Sequence, residues 1–239
     1  MIIETKRRSI LKAFSWRITA SVTTIILVYA FTGQIETALK IGGIEVFAKM
    51  AIYYFHERGW GKIRFGKHEI SPSVIWVTGL PRSGKDELSR AIFDSIKEKG
   101  LKVEYLDGKT IRELIPQLGF TKAERIHHVE RVGILVKTLE QNGIFVVANL
   151  VSPDRVAREF VRSLNRHFIE VYVNTPLAAC EKRDTSSIYE KARRGEIDNM
   201  VGIHFDYEPS ENPEYSVDLS VASVDQTRKA IIGSVVSRF

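Results

Sequence analysis

The sequence contains a single cysteine, Cys180, in 239 residues. That excludes an internal disulfide framework and gives no sign of an oxidising compartment. Cys180 lies in an apolar stretch and reads as a buried thiol. Long apolar runs are also scarce. Residues 18–31 (ITASVTTIILVYAF) make a run of fourteen, short of the ~20 that a spanning helix needs. Reaching back to Phe14 lengthens it to eighteen at the cost of Arg17. Over most of the chain an excess of one charge is missing too. The net charge is +6, and residues 1–70 supply all of it, with eleven Lys/Arg against five Asp/Glu; the other 169 residues hold 24 of each sign. A basic surface built for nucleic acid is therefore unsupported there. No internal repeat or low-complexity tract occurs. What is present is 44% hydrophobic residues, enough for a packed core in one domain of ordinary size plus an appendage.

The appendage is residues 1–65. Lys6, Arg7, Arg8, Lys12 and Arg17 lead into the apolar run, Gly33 breaks the chain, and a second apolar stretch at 38–55 carries Lys40, Glu45 and Lys49. It closes on Tyr53, Tyr54, His56, Arg58, Trp60, Lys62 and Arg64. Basic residues flank the pair of segments, and few lie at the connection around Gln34 and Glu36. The positive-inside rule then predicts an α-helical membrane hairpin with both ends in the cytoplasm and an aromatic belt at its second end. No A-x-A-like site follows the first run, which argues against a cleaved signal peptide. A helical pair lying on a surface, or pairing with itself, is the alternative. The strings KRRSILKAFSWRITASVTT and YYFHERGW, with their spacing over about residues 4–65, resemble a family of small predicted bacterial membrane proteins of unknown function. That resemblance implies a bacterial inner-membrane location, with the rest of the chain facing the cytoplasm.

After a linker at 66–72 the pattern changes. Residues 74–78 (VIWVT) read as a buried strand, followed by GLPRSGKDE and an amphipathic run. Strand, glycine-rich loop and helix are the context of a phosphate-binding loop, here Gly79, Leu80, Pro81, Arg82, Ser83, Gly84 and Lys85. The glycines let backbone N–H groups face anionic oxygens, the helix adds its positive end, and Lys85 reaches the β- and γ-phosphates of ATP. The next residue, usually a Ser or Thr whose hydroxyl holds Mg2+, is Asp86. A carboxylate can hold Mg2+ as well, but its charge also sits beside the β-phosphate. Further apolar runs at 101–107, 143–150, 168–174 and 215–222 alternate with helical patterns at 121–141, 154–165 and 226–237. The prediction is an α/β fold over residues 73–239, a five-stranded parallel sheet with helices on both faces, preceded by the hairpin. Ligands meet such a sheet at the C-terminal ends of its strands. Asp107 ends the second strand, where it can orient an acceptor hydroxyl or take its proton, hold Mg2+, or else cap the DGKT turn. His127 and His128 are adjacent with no spaced third ligand, which argues against zinc.

At these motifs residues 73–236 resemble the adenylyl-sulfate (APS) kinase family. The matching strings are GLPRSGK, LDG, LGFTKAER with RVG, NLVSPDR, PLAACEKRD, IYEKARRGEIDNMVGI and YEPSENPE. The resemblance implies a P-loop kinase fold and transfer of the γ-phosphoryl of ATP, with Mg2+, to the ribose 3′-hydroxyl of adenylyl sulfate. It implies that Lys85 holds the phosphates, Asp107 addresses the acceptor hydroxyl, Arg125 meets acceptor phosphate or sulfate, and Phe120 packs on the base. Ser152 becomes a partner at the transfer centre. Arg155, Arg183, Tyr189, Lys191 and Arg193 become lid residues, with Arg183 on ATP and Lys191 on the acceptor. Arg183 reads equally as a structural partner of Asp184. Members of the family often pair, so a homodimer is expected. The departures gather around Mg2+ and the acceptor. They are Asp86, Lys109 for an acid, Thr110 for an asparagine, His128 and Glu130 for asparagine and arginine, and Ser186 for a lid lysine. Three functions stay in view: the ordinary family kinase, a kinase of another nucleotide-activated acceptor in surface-polysaccharide synthesis, and a membrane-tethered nucleotide-binding protein with little catalysis.

Overall fold

A computed structural model of the chain describes residues 2–4, 6–30, 35–63, 65, 67–69, 71–114 and 119–236. The chain divides into two compact units, residues 1–70 and 71–239.

In the first unit, β1 (Ile2–Glu4) is followed by α1 (Lys6–Ala30), α2 (Ile35–Lys62) and β2 (Lys67–Glu69). β2 lies within the stretch read as linker and pairs antiparallel with β1. The helices run antiparallel, because their contacts descend in step: Lys12 Nζ lies 2.9 Å from Glu57, and the Trp16 and Tyr53 rings meet edge-on at 5.0 Å. Arg8 is fully buried. Its guanidinium donates to the carbonyl oxygens of Trp60 (2.5 Å), Ile63 (2.9 Å) and Phe65 (2.5 Å). These belong to the end of α2 and the turn beyond it, where helical carbonyls run out of intrahelical donors. Trp60 Nε1 donates to Ser15 Oγ at 3.2 Å and to His56 Nε2 at 3.1 Å. The SWR and HERGW strings thus meet across the helix pair.

The membrane-spanning hairpin expected from the charge layout is not supported. Among the described residues no helix is long and apolar enough to cross a membrane. α1 and α2 have 25 and 28 residues, but Arg17 interrupts the first, and Lys40, Glu45 and Lys49 the second. A charge at the bilayer centre costs about 2.5–3.5 kcal/mol or more. The break at Gly33 and Gln34, and Arg64, lie outside the described residues.

In the second unit, β3 (Val74–Gly79), α3 (Lys85–Glu98), β4 (Val103–Asp107), α4 (Gly108–Leu114), α5 (Lys122–Gln141), β5 (Phe145–Asn149), α6 (Arg155–Leu164) and β6 (Phe168–Val173) follow in turn. Then come α7 (Leu177–Lys182), α8 (Ile188–Arg193), β7 (Tyr215–Val217) and α9 (Val224–Val236). The strands form one sheet in the order β4-β5-β3-β6-β7, every neighbouring pair parallel. All of β3 is buried. Its Val74 and Trp76 pack with Val129, Val132 and Val136 of α5 and Ala157 and Val161 of α6. The opposite face is covered by α3, which also packs on α9. Burial on both faces is what the unbroken apolar strand sequences require. From β3 the chain crosses first to one side of the sheet, for β4 and β5, and then to the other, for β6 and β7. Such a reversal opens a crevice at the C-terminal strand ends.

Candidate active site

The phosphate-loop residues join the C-terminal end of β3 to α3. An added Cβ at Gly79 would lie 2.4 Å from the carbonyl oxygen of Val173, and one at Gly84, where φ is 97°, would lie 2.9 Å from Leu219. Both positions need glycine. The loop's carbonyls are tied to the protein: Tyr189 donates its hydroxyl to the Pro81 oxygen (2.7 Å), and Thr175 to that of Ser83 (2.9 Å). This turns them inward, the orientation a nest of N–H groups requires. Lys85 opens α3 and is buried, with its ammonium 3.5 Å from Asp86 Oδ1. The Asp86 side chain is 63% exposed and accepts a hydrogen bond from Asn149 Nδ2 at 2.7 Å. Desolvation opposes its charge, yet Lys85, the Asn149 bond and Arg82 together hold its carboxyl below the ordinary value.

A cavity of about 570 Å³ opens beside Lys85 and Asp86. Asp107, Gly108, Lys109 and Arg112 form one wall, and Phe120, Arg125 and His128 another. Residues 149–153 run along its base, with Ile188 and residues 197–201 at the remaining edge. Asp107 Oδ1 accepts from the Lys109 N–H at 2.7 Å. Arg125 is buried; it donates to the Phe120 carbonyl at 2.7 Å and lies 4.4 Å over the Phe205 ring. The Arg112 guanidinium stacks 4.5 Å over Phe120. His128 is buried with Nε2 3.1 Å from the Gly108 carbonyl oxygen. Desolvation, then the nearby Arg112, push its pKa down to about 4, against the small upward pull of the Gly108 bond. The cavity thus joins four cations (Lys85, Lys109, Arg112 and Arg125) and three carboxylates (Asp86, Asp107 and Asp198) with aromatic and apolar surface. It suits an anionic ligand with a planar part and a hydroxyl to place against Asp107.

Residues 71–218 match the adenylylsulphate kinase family, and residues 10–61 a family described as predicted membrane protein (DUF2061). The chain belongs to the adenylylsulphate kinase family. An adenylyl-sulfate kinase of Halothermothrix orenii is 42% identical over 160 residues, covering 66% of this chain and 86% of that one. One from Gloeothece citriformis is 38% identical over 160 residues, covering 66% and 91%. Among solved structures, the APS kinase of Mycobacterium tuberculosis in complex with AMPPNP and APS superposes with a TM-score of 0.66 at 30% identity. The match covers 71% of this chain and 99% of that one.

Of the residues that the adenylylsulphate kinase resemblance marked, the cavity gathers Pro81, Lys85, Asp86, Asp107, Phe120, Arg125 and Ser152. Gly79, Leu80, Arg82, Ser83 and Gly84 build the loop without lining the cavity. Ser152 lies on the wall, but its hydroxyl accepts from Trp76 Nε1 at 3.0 Å and sits 2.8 Å from Thr78 Oγ1. Arg183 and Lys191 do not line the cavity. Arg183 donates to the Leu219 carbonyl at 2.5 Å, close to Gly84, and Lys191 is exposed on α8. Asp184 pairs with Arg82 at 3.4 Å and accepts from the Tyr189 N–H at 3.0 Å. Arg155 pairs with Glu211, and Arg193 with Glu181. Cys180 is buried against Tyr189, Ala192 and Met200. His127 is exposed beside Glu130, while its neighbour His128 turns inward.

Sequence reasoning missed Asn149, Arg112 and the 197–201 edge. Asn149 had a signal, because it ends β5 as Asp107 ends β4. Arg112 had none beyond being a base shortly after Asp107.

Proposed function

We propose that this chain is an ATP-dependent kinase that transfers the γ-phosphoryl group of ATP to the ribose 3′-hydroxyl of adenylyl sulfate. The observation that carries this reading is one cavity lined by Lys85, Asp107, Phe120 and Arg125. Lys85 and the loop N–H groups hold the β- and γ-phosphates. Asp107 accepts the hydrogen bond of the acceptor hydroxyl and takes its proton as that oxygen bonds to the γ-phosphorus; the bond to the bridging oxygen breaks and ADP leaves. Arg125, with Arg112 and Lys109, meets the acceptor's phosphate and sulfate, and Phe120 packs on its base. Catalysis is chiefly positioning and charge stabilisation. Asp86 fits a role in holding Mg2+, being an exposed, ionised carboxylate at the end of the loop; Mg2+ commonly takes one or two carboxylates together with substrate phosphates and water. When bound, the ion neutralises phosphate charge.

Lys109 favours a second reading, transfer to another nucleotide-activated acceptor of the kind used in surface-polysaccharide synthesis. It adds a cation to the cavity wall where the resemblance has an acid, and so favours a more anionic acceptor. The match over residues 10–61 supports membrane association of the first unit, and the exposed Phe14, Phe47 and Phe55 supply apolar surface for it.

The test is ADP release by the full chain with ATP and Mg2+, comparing adenylyl sulfate with a panel of nucleotide acceptors and running Lys85→Ala alongside. Release stimulated by adenylyl sulfate and lost in the variant is the expected result. Stimulation by another acceptor alone moves the assignment to the second reading. ATP binding with no acceptor response overturns catalysis in favour of a nucleotide-binding role.

A further inference from the structure

We propose that His128 selects the acceptor: its Nδ1 takes a hydrogen bond from a donor on the bound nucleotide, a sugar hydroxyl or the base amine. The proposal rests on reading the cavity as the acceptor site. His128 is 3% exposed and lines the cavity. Its Nε2 lies 3.1 Å from the Gly108 carbonyl oxygen. A carbonyl oxygen only accepts, so that nitrogen carries the hydrogen, and in the neutral ring Nδ1 is left as an acceptor. Nδ1 is buried and has no hydrogen-bond partner.

The turn that fixes this ring is itself fixed. A Cβ added at Gly108 would meet Leu150 at 2.7 Å, so the backbone following Asp107 packs tightly. The charged groups acting on the imidazole are Arg112 and Arg131, both cations. They disfavour a second proton on the ring and keep Nδ1 an acceptor. A second acceptor, on a residue of the cavity base, is also unpartnered. Asn149 Oδ1 is buried without a partner, and its amide is oriented by the Nδ2 bond to Asp86 at 2.7 Å. Buried polar atoms are nearly always paired, so two unpaired acceptors on residues lining one cavity point to a ligand that brings donors. The cations can bind phosphate and sulfate, whereas the two acceptors read the uncharged part of the same molecule.

The experiment measures binding to the full chain, held with AMPPNP, of adenylyl sulfate and its 2′-deoxy, 3′-deoxy and base-amine-lacking analogues. His128→Phe and His128→Asn are compared with the wild type, and the His128 side-chain 15N resonances are followed. We expect one analogue to bind the wild type about 10–100-fold more weakly than adenylyl sulfate. His128→Phe should weaken adenylyl sulfate by a similar factor and show no further loss with that analogue. The identity of that analogue says whether hydroxyl or amine is read. His128→Asn, which keeps an acceptor oxygen, should retain part of the discrimination. AMPPNP affinity should not change, which also establishes folding. On saturation with adenylyl sulfate the Nδ1 resonance should move toward that of a hydrogen-bonded acceptor. Wild-type affinities in His128→Phe for all four compounds, or an unmoved Nδ1 resonance, would overturn the proposal, as would no binding of adenylyl sulfate. If His128→Phe fails to bind AMPPNP, the asparagine variant and the resonance decide. Binding with the His128 signature but without phosphoryl transfer would keep this proposal and refute the kinase reading.

Discussion

Arg158→Met tests how the cavity base is held. Arg158 sits 2% exposed with Nε 3.1 Å from Glu170 Oε1. Its two terminal nitrogens donate to the carbonyl oxygens of Ser152 (2.7 Å) and Glu208 (2.6 Å), and its guanidinium lies 5.1 Å from the Tyr207 ring centre. Methionine keeps most of the apolar stem but strands both carbonyls. Breaking a buried ion pair by removing one partner costs about 3–5 kcal/mol. Here Glu170 retains Arg162 at 3.0 Å and Ser210 at 2.5 Å, so its charge is not left bare and the lower end applies. Two hydrogen bonds to a charged donor, at about 1.5 kcal/mol each, give the same figure of ~3 kcal/mol. For a unit of this size that lowers the melting temperature by about 6–12 °C. Because Ser152 and Pro153 line the cavity, KM for the acceptor should rise more than kcat falls. Thermal unfolding followed by circular dichroism, with steady-state ADP release, measures both. A stability loss below about 1 kcal/mol with an unchanged acceptor KM would refute the reasoning.

Other positions give sharper local tests. His128 has a folded pKa of about 4 against an ordinary 6.5, so the unfolded chain binds its proton first. Its contribution to stability is complete above about 6.5 and is lost as pH falls toward 4, by up to ~2 kcal/mol after allowing for the open cavity beside it. Denaturant titrations at several pH values should show His128→Asn flattening that slope, and equal slopes would contradict the assignment. Arg8→Met removes the donor to three carbonyls at the end of α2. At the same ~1.5 kcal/mol per bond it should destabilise the first unit by about 4–5 kcal/mol, seen as easier urea unfolding followed by tryptophan fluorescence, with ATP affinity unchanged. Gly133→Ala places a Cβ 2.6 Å from Val161 Cγ2, where α5 meets α6. Overpacking of about 1–3 kcal/mol then outweighs a helix-propensity gain of about 1 kcal/mol, and a raised melting temperature would count against it.

The parallel sheet was legible because its central strands are buried on both faces and so appear as continuous apolar runs. The helices α3 and α6 were legible from their amphipathic period. The short helices α4, α7 and α8, of six or seven residues, are too brief to show one, and the lid segment was visible only through family resemblance. β7 proved shorter than its apolar run. Asp218 turns back to accept from Ser220 at 2.8 Å, and the strand has already ended at Val217. The phosphate loop was readable because its glycines answer to backbone geometry. The bond that holds the Ser152 hydroxyl was not, because nothing local marks it as the partner of Trp76, 76 residues away. The first unit misled for a physical reason. A charge count treats Arg8 as a flanking cation, whereas its buried guanidinium donates to three carbonyls at the end of α2 and just beyond it.

The most direct test of the central claim is transfer of label from ATP carrying 32P at the γ position to adenylyl sulfate, comparing the wild-type chain with Asp107→Asn. The account predicts labelled 3′-phosphorylated product from the wild type, a rate about 10²–10⁴-fold lower in the variant, and equal ATP affinity in both. Label remaining in ATP with the wild type, or equal transfer by Asp107→Asn, would contradict it.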